Sequence, residues 1–535
     1  MAEREDSEPT SSVEPVETPT PSVEPIETTD PARPAPPHIR ARAARAFVIG
    51  ARMVTGLAGT AAALVVVGIV GFAPLPTIGT TPAGTTVVPE LADQLRACAG
   101  GTLRLGEESG QNADVPHPIG VPRVTSGSEH ASIQSSPLLD SDAIGGAADS
   151  APRVLKVAPS DGAALTGAQS QTVSALDYVG FSAAACTEPS SSIWFAGGAT
   201  TVGRTTLLTL DNPTDVAATV RVTILGESGE VVAPGMAGIE VNPGQQRVLS
   251  VAGFAPGLAS PVIHVEARGG QIAAFLQQSI VRGLDATGVD VVNPGADPAT
   301  VQTIPGVRIR DAVGVSRTLA LADWEDAVSA VRVGVPGTAD AHVTVTVKSS
   351  DPTIESTSFT TKVSAGSVDE LPLDSGTHTE TDAISLPDGL YTVTVTSDVP
   401  VVAGVRTTTA TDVGDSPEGE PEAAPASDFA WYPAVAPLDG DTLIAVAPGP
   451  DPKFAVTNPT KEAMTVVLTS RSGNEVSIAV AAGATSSAPV EAGQTYRVTD
   501  ASGAVAAISY AGTAQLAGYP VTSPRPFSAP LVVRP

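Results

Sequence analysis

The chain has 535 residues, enough for three or four domains, and 42% of them are apolar, so it can build substantial cores. It carries 57 acidic and 29 basic side chains, a formal charge of −28. Because Lys and Arg cluster nowhere outside residues 40–52, nucleic acid is excluded as a partner. Abundant Gly and Pro with only 4% aromatic residues favour many short strands joined by turns.

Residues 1–45 are acidic and rich in Pro. They contain an imperfect duplication, SVEPVETPTP from Ser12 and SVEPIETTDP from Ser22. Pro blocks helix formation and the acidic side chains repel one another, so this segment predicts a disordered cytoplasmic tail.

Residues 46–75 include one uncharged apolar run, MVTGLAGTAAALVVVGIVGFAPL from Met53. A helix of this length spans roughly 30 Å, the thickness of a bilayer's hydrocarbon core. Four arginines lie between residues 40 and 52 at its N-terminal flank, and the next basic residue after the run is Arg96. The positive-inside rule therefore predicts a signal anchor in the cell membrane, with a cytoplasmic N-terminus and an extracytoplasmic remainder.

A cleaved signal peptide is the alternative for this segment. It is disfavoured because the basic region lies far from residue 1 and the apolar run exceeds the usual 7 to 15 or so residues. No convincing small-residue cleavage site precedes Thr77.

Residues 76–94 predict a linker, and order is expected to begin near Cys98. The two cysteines, Cys98 and Cys186, both fall on the predicted exported side, where oxidation is permitted, so we expect a structural disulfide. The segment 111–150 is rich in Ser, Gly, Asp and Pro without steady periodicity. It predicts a long insertion to which no strands are assigned.

An internal repeat organises the remainder. Val220, Val343 and Val466 are spaced 123 residues apart, and each lies in a strand with alternating apolar and polar residues. In the first strand, this alternation places Thr219 and Arg221 on the outward face. Asn212 and Pro213 precede the first of these strands, and Asn458 and Pro459 precede the third. Three copies of one pattern predict three similar modules.

Short strands at regular spacing, with two-sided alternation and no helical stretches, predict an all-β protein. The expected fold is a tandem array of immunoglobulin-like antiparallel β-sandwich modules, preceded by the disordered tail and one transmembrane helix. The first module is expected to recruit strands from residues 95–188 as an N-terminal extension. The predicted divisions are modules at 95–300, 305–415 and 429–535, with an acidic linker at 416–428.

No motif for catalysis, cofactor binding or metal binding is present, so the sequence predicts neither an enzyme nor a cofactor. The six histidines are scattered, and His264 is expected on the solvent face of a strand. Two carboxylate pairs, Asp439 with Asp441 and Asp285 with Asp290, are placed in Gly-rich turns. Such turns can bind Ca²⁺, but an ordinary Asp-Gly turn is the favoured interpretation.

Three aromatic residues, Trp194, Trp431 and Tyr432, lie close to the predicted module starts. A flat aromatic face can stack on a sugar ring, and a sandwich also needs aromatic residues to fill its core. The core interpretation is favoured, and ligand stacking stays open as the alternative.

Several segments from Trp194 onward carry a family resemblance: IWFAGG, LTLDNPTD, EVNPG, AAFLQQS and GLDATGVDVV. Together they resemble an actinobacterial envelope family catalogued only as a domain of unknown function, DUF5719. The resemblance implies an exported or single-pass envelope protein, often encoded near envelope glycosyltransferases. It carries no catalytic residue to this chain.

The expected function is a non-enzymatic, membrane-anchored scaffold or interaction module of the cell envelope. Its expected partners are envelope proteins, among them a membrane glycosyltransferase. The alternative is a carbohydrate-binding module that recognises cell-wall glycan through Trp194 or Trp431. An enzyme that uses groups within 111–150 is the third hypothesis.

Overall fold

The described part of the chain excludes the N-terminal segments. The computed structural model describes residues 85–87, 93–106, 112–129, 131–138, 140–158, 164–175, 177–373, 386–412, 424–524 and 531–533. The predicted tail 1–45, the predicted membrane helix 46–75 and most of both predicted linkers lie outside these residues. Within the described part, no helix combines the length and apolar character that a membrane crossing requires.

The prediction of an almost wholly β protein is confirmed. The described residues contain a single α-helix, α1 (Ala312–Thr318). They also contain three 3₁₀ turns: Ala148–Ser150, Val251–Gly253 and Glu325–Ala327. Nearly all strand pairs are antiparallel, as the alternating sequence patterns indicated.

The N-terminal region consists of small sheets. Its strands are β1 (Thr85–Val87), β2 (Gln94–Cys98), β3 (Thr102–Leu105), β4 (Pro116–Ile119), β5 (Arg123–Ser128), β6 (Gln134–Pro137), β7 (Asp140–Ser141), β8 (Arg153–Val157), β9 (Leu165–Ser174) and β10 (Val179–Ala185). They pair in the orders β2-β8-β6, β10-β9-β5 and β3-β4. Strands β4 to β7 fall within 111–150, the segment to which the sequence assigned no strands. Its short strands alternate too weakly to be recognised from sequence.

The first sandwich follows this region. Its strands are β11 (Ser192–Ala196), β12 (Arg204–Asp211), β13 (Ala218–Gly226), β14 (Gly229–Val231), β15 (Ala237–Val241), β16 (Gln245–Ser250), β17 (Val262–Gly269), β18 (Ala273–Arg282) and β19 (Asp285–Val292). One sheet has the order β11-β17-β13-β14, with β15 also on β13. The other has the order β19-β18-β12-β16-β7. Their facing apolar residues share one core.

The second sandwich is built around one long strand. Its strands are β20 (Ala299–Ile309), β21 (Ala330–Gly334), β22 (Ala341–Ser349), β23 (Thr357–Val363), β24 (Val368–Pro372), β25 (Gly389–Ala410) and β26 (Ser427–Pro433). The first part of β25 pairs with β20 and β22. Its last part pairs with β21 and β26, so one strand serves both faces of the core.

The third sandwich has two four-stranded sheets. Its strands are β27 (Thr442–Ala445), β28 (Lys453–Thr457), β29 (Met464–Ser470), β30 (Glu475–Val480), β31 (Thr485–Pro489), β32 (Thr495–Thr499), β33 (Val505–Gly512) and β34 (Gln515–Val521). The sheet orders are β27-β32-β29-β30 and β31-β28-β33-β34. A final strand, β35 (Leu531–Val533), pairs with β1.

The N-terminal region joins two sandwiches at once. Strand β7 pairs in parallel with β16 of the first sandwich. However, Phe181 and Ala183 of β10 are buried in the core of the third sandwich. Strand β7 thus joins the first module, as expected of this extension, whereas β10 in addition packs into the core of the third sandwich.

In the N-terminal region, glutamine side chains hydrogen-bond to backbone groups that have no strand neighbour. Gln169 accepts a hydrogen bond from the Gly100 N–H (3.0 Å) and donates to the Gly100 carbonyl (2.8 Å). Gln277 of β18 does the same for Leu103, at 2.7 and 2.6 Å. An amide side chain thus replaces a neighbouring strand and satisfies buried backbone groups. The predicted disulfide, Cys98 to Cys186, is confirmed beside this contact.

The predicted repeat appears as a repeated hydrogen-bond set. Asn212 donates from its side-chain amide to the carbonyls of Val216 and Val241, each at 2.9 Å. Its side-chain oxygen accepts from the N–H and the hydroxyl of Thr214. Asn458 makes the same four bonds, with partners Glu462, Val480 and Thr460. The two Asn-Pro turns are therefore equivalent structural elements.

Strand β26 links the cores of the first two sandwiches. All seven of its residues are buried. Phe429 and Trp431 lie in the core of the first sandwich, and Ala430 and Tyr432 lie in the core of the second. Although the predicted third module starts at residue 429, this strand pairs with β25 of the second sandwich.

Asp428 in the same strand connects three further elements. Its carboxyl group accepts hydrogen bonds from the backbone N–H of Phe181 (2.9 Å), Leu516 (3.2 Å) and Val289 (3.3 Å). These donors belong to the N-terminal region, the third sandwich and the first sandwich. A buried polar group therefore specifies how the four parts meet.

A buried arginine of the second sandwich hydrogen-bonds to the first sandwich. Arg332 of β21 is fully buried and lies 4.4 Å from the ring centre of Trp431. It pairs with Glu370 at 2.5 Å, and Glu370 also pairs with Arg406 at 2.8 Å. The Arg332 guanidinium donates to three carbonyls of the first sandwich, those of Gly198, Ala259 and Pro261.

Three buried carboxyl groups have raised pKa values. Asp290 was expected in a Gly-rich turn, and this is wrong, because it lies within β19 and accepts from the N–H groups of Trp431 and Val291 at 2.8 and 2.9 Å. Desolvation raises the pKa of Asp290 and that of Asp211 to about 8. Desolvation also raises the pKa of Asp428 well above its usual value, and the nearby Asp290 adds to this effect.

Removal of the disulfide should destabilise the fold. The bridge closes a sequence separation of 88 residues, so the double change Cys98→Ser with Cys186→Ser should lower the free energy of unfolding by about 4–5 kcal/mol in the chain-entropy treatment. Urea denaturation of the variant and of the reduced wild type measures this loss. A loss below about 1 kcal/mol would contradict the structural role.

The buried acids should make stability fall as pH rises. A carboxyl group whose folded pKa is raised binds its proton more tightly in the folded state, so its stabilising effect is complete below the unfolded pKa. That effect is lost between about pH 4 and pH 8, at up to about 1.4 kcal/mol per pH unit for Asp290. Asp290→Asn should make the pH dependence shallower, whereas Asp285→Asn, at the exposed start of β19, should not. Urea denaturation from pH 4 to 8 tests this, and equal slopes in both variants would refute it.

Candidate functional site: the junction cleft

A cleft of about 220 Å³ lies where the connections between the sandwiches converge. We name it the junction cleft. Its walls come from residues 185–193, 293–297, 434–436 and 520–523. These segments are the entry into β11, the exits from β19 and β26, and the end of β34. The cleft exists because every part of the fold begins or ends there.

Hydrogen bonds hold the cleft walls in place. Asn293 accepts from the Ala185 N–H at 3.0 Å and donates to the Ala185 carbonyl at 2.9 Å. The Gly295 N–H donates to the Trp194 carbonyl, and the Ala296 N–H donates to the Ala434 carbonyl. These bonds fix the segment after β19 to the N-terminal region, to β11 and to the segment after β26, which gives a preformed site.

The disulfide forms part of the wall. Cys186 lines the cleft and is itself buried. Next to it, Glu188 pairs with buried Arg96 at 3.0 Å. Arg96 also donates to the Leu165 carbonyl at 2.5 Å. The Cys98 to Cys186 bond is therefore a structural support of the cleft.

An aromatic pair stands beside the cleft. Trp194 and His264 are cross-strand neighbours on β11 and β17, and their rings stack with centroids 3.8 Å apart and planes 7° apart. The hydroxyl of Ser192, which lines the cleft, lies 3.0 Å from His264 Nε2. Burial lowers the pKa of His264, against the opposing charges of Glu266 and Asp297. Burial therefore favours the neutral form of the imidazole.

The contact between Ser192 and His264 resembles two members of a catalytic triad. A catalytic histidine also needs a group that orients its second nitrogen. Among the described residues, no carboxylate hydrogen-bonds to the His264 ring. The pair therefore positions the imidazole against Trp194 and supplies a polar group at the edge of the cleft.

The predicted aromatic residues separate into two groups. Trp431 and Tyr432 are at most 1% exposed, so neither presents a ring face to a ligand, and the core interpretation describes both. The Trp431 indole donates to Gln278 Oε1 at 2.7 Å. Trp194 is 9% exposed and packs with Val262, Val368 and Val402 between the first two sandwiches. Trp194 contacts the cleft wall through its backbone carbonyl, which accepts a hydrogen bond from the Gly295 N–H.

The predicted carboxylate pairs do not form a metal centre. Asp441 pairs with Arg497 at 3.0 Å, and Asp290 is buried away from Asp285. In the part of the chain that the structure describes, no three His, Cys, Asp or Glu side chains stand close enough to hold a metal ion.

Sequence reasoning missed the polar row on the outer face of the first sandwich. Glu266 lies opposite Ser192 on one side and opposite Arg221 on the other. Alternation had already placed Thr219 and Arg221 on the solvent face, and the structure confirms this. The missing information was the order of the strands, which sets Glu266 between Ser192 and Arg221.

Truncation of Trp194 should destabilise the fold and expose the His264 ring to water. Trp194→Ala removes a large buried ring, so the free energy of unfolding should fall by about 3 kcal/mol. The His264 pKa should rise because the ring gains contact with water. Urea denaturation and an NMR titration measure the two effects. Val202→Ala, at a side chain 94% exposed, is the control and should change stability by less than about 0.5 kcal/mol. A Trp194→Ala variant as stable as this control would contradict the core role.

Comparison with known proteins supports the resemblance seen in the sequence. The family of unknown function DUF5719 matches residues 143–499. This range includes the first two sandwiches and most of the third. No curated protein matches the chain. Because the match covers more than half of its length, the chain belongs to the DUF5719 family.

Proposed function

We propose that this protein is a non-enzymatic interaction platform of the cell envelope. In this proposal, residues 46–75 anchor it in the cell membrane and the β-sandwiches, which we take to be immunoglobulin-like, stand on the extracytoplasmic side. They scaffold a polymer-assembly complex that includes a membrane glycosyltransferase.

One observation supports a platform over a flexible string of modules. Strand β26 contributes side chains to the cores of two sandwiches, and Asp428 binds backbone groups of the other parts. Between the second and third sandwiches, the hydroxyls of Thr392, Thr457 and Thr485 form a buried triangle with sides of 2.7–2.9 Å. Sandwiches joined in this way hold their surface loops in fixed relative positions, as a scaffold requires.

Site-specific photocrosslinking in cells tests the platform. A photoreactive residue at Asp297, an exposed position that lines the cleft, should give a discrete adduct with a membrane glycosyltransferase. The same residue at Glu475, exposed on edge strand β30, is the control and should not. Mass spectrometry identifies the adducts. Equal adducts at both positions, or none at Asp297, would refute the proposal.

Glycan binding is the second candidate function. Ser192 lines the cleft, and its hydroxyl contacts His264, which stacks on Trp194. Glu266 lies opposite Ser192 on the adjacent strand. Aromatic groups beside hydroxyl and carboxylate groups are the elements with which proteins hold sugars. Retention on wall glycan by a folded Trp194→Ala variant distinguishes the two candidates, since only the glycan candidate requires that retention to fall.

A further inference from the structure

A second concavity lies on the outer face of the first sandwich, at the end of the polar row. It has a volume of about 120 Å³ and is lined by Thr219, Arg221, Gly238, Glu266 and Arg268, among others. We name it the arginine groove. A bulge shapes its wall: Ile239 pairs with Val220 and Ala237 with Arg221, so Gly238 stands out of register.

The bulge requires glycine. Gly238 has φ +76°, a left-handed conformation that other residues rarely adopt. No atom lies within 4 Å of the position that a side chain at Gly238 would take. The backbone conformation, and not crowding, therefore explains the glycine, and the groove stays open above it.

The two arginines are exceptional in this acidic chain. Acidic side chains outnumber basic ones by 57 to 29, and most described arginines pair with a carboxylate, as Arg247 does with Asp142 at 2.8 Å. Arg221 and Arg268 are both exposed. Among the described residues, neither has a carboxylate oxygen within 4.0 Å of its guanidinium. Two guanidiniums thus share one groove, and neither forms an ion pair with a carboxylate of the described residues.

The groove is continuous with the junction cleft. Ser192, Glu266 and Arg221 occupy one row across three adjacent strands. Neighbouring strands lie about 4.8 Å apart, so the row extends over roughly 10 Å from the cleft to the groove. A sugar unit bound at the groove can therefore continue as a chain toward the cleft.

We propose that the arginine groove binds the charged group of an acidic sugar unit in an anionic glycan. Guanidinium groups suit carboxylate and phosphate because they donate parallel hydrogen bonds. Glu266 and Thr219 face the hydroxyls of the same unit, and the chain runs past Ser192. The inference rests on the glycan-binding candidate above and adds the charge of its ligand.

The negative charge of the whole protein does not prevent this binding. At physiological ionic strength, interactions between exposed charges are screened beyond about 8 Å. Two carboxylates neighbour the arginines on this face: Glu266 lines the groove, and Glu240 lies opposite Thr219 on β15. The lining itself holds two guanidiniums and one carboxylate.

Binding of defined oligosaccharides to the full-length chain tests the proposal. The probes are an oligogalacturonate for a carboxylate ligand, a glycerol-phosphate oligomer for a phosphate ligand and a neutral malto-oligosaccharide. The wild type should bind one of the two acidic probes, and added salt should lower that affinity. Its affinity for the neutral probe should be at least about tenfold lower. The double variant Arg221→Gln with Arg268→Gln should lose at least about tenfold in affinity.

Matched variants separate the glycan site from general charge. Arg471→Gln removes an exposed arginine of the third sandwich, and its affinity should stay within about twofold of the wild type. Glu266→Ala should weaken the acidic oligosaccharide but not inorganic phosphate, because it removes the hydroxyl acceptor that only the sugar uses.

Several results would overturn the inference. These are no acidic probe bound, equal binding of the neutral probe, binding of inorganic phosphate alone, or a double variant within about twofold of wild type. Crosslinking at Asp297 reports the platform function separately. An adduct there together with absent glycan binding would refute the inference and leave the platform proposal standing.

Discussion

The structure depends on one buried strand, β26, whose side chains alternate between two hydrophobic cores. An exposed strand uses this period-two geometry to separate core from solvent. Here both sides are core: Phe429 and Trp431 complete the first sandwich, and Ala430 and Tyr432 complete the second. Neither core is complete without the strand. The sandwiches therefore form a single compact unit over residues 85–533, although their internal repeat is typical of independent modules.

Buried polar groups in and beside β26 determine how the sandwiches pack against one another. Asp428 binds three backbone N–H groups from three parts of the chain, and Arg332 binds carbonyls of the neighbouring sandwich. Buried carboxyl groups are costly, as the raised pKa values of Asp290 and Asp428 indicate. Apolar packing alone would permit several docking angles, whereas a fixed pattern of donors and acceptors permits one. A platform with fixed loop positions is consistent with that cost.

The candidate site could be predicted only in part. Alternation along β13 correctly placed Arg221 on the solvent side, and the position of the two cysteines correctly indicated a disulfide. Local patterns could not show that Glu266 lies between Ser192 and Arg221, because strand order is a long-range property. Trp194 and Trp431 could not be distinguished in the sequence, because each lies close to a predicted module start. Tertiary packing distinguishes them, because β26 is buried on both faces and β11 lies at a junction.

The sequence by itself determined the β class, the inward and outward faces of the repeated strands, the equivalent Asn-Pro turns and the disulfide. Each of these follows from local periodicity, turn chemistry or a count of cysteines, which act over a few residues or need no geometry. Only the tertiary structure decided that β10 closes the third core, that β26 closes two cores and that connecting segments form the junction cleft. These features depend on contacts between residues far apart in the chain. Which faces pack together decides how much apolar area is buried, and no local pattern encodes that choice.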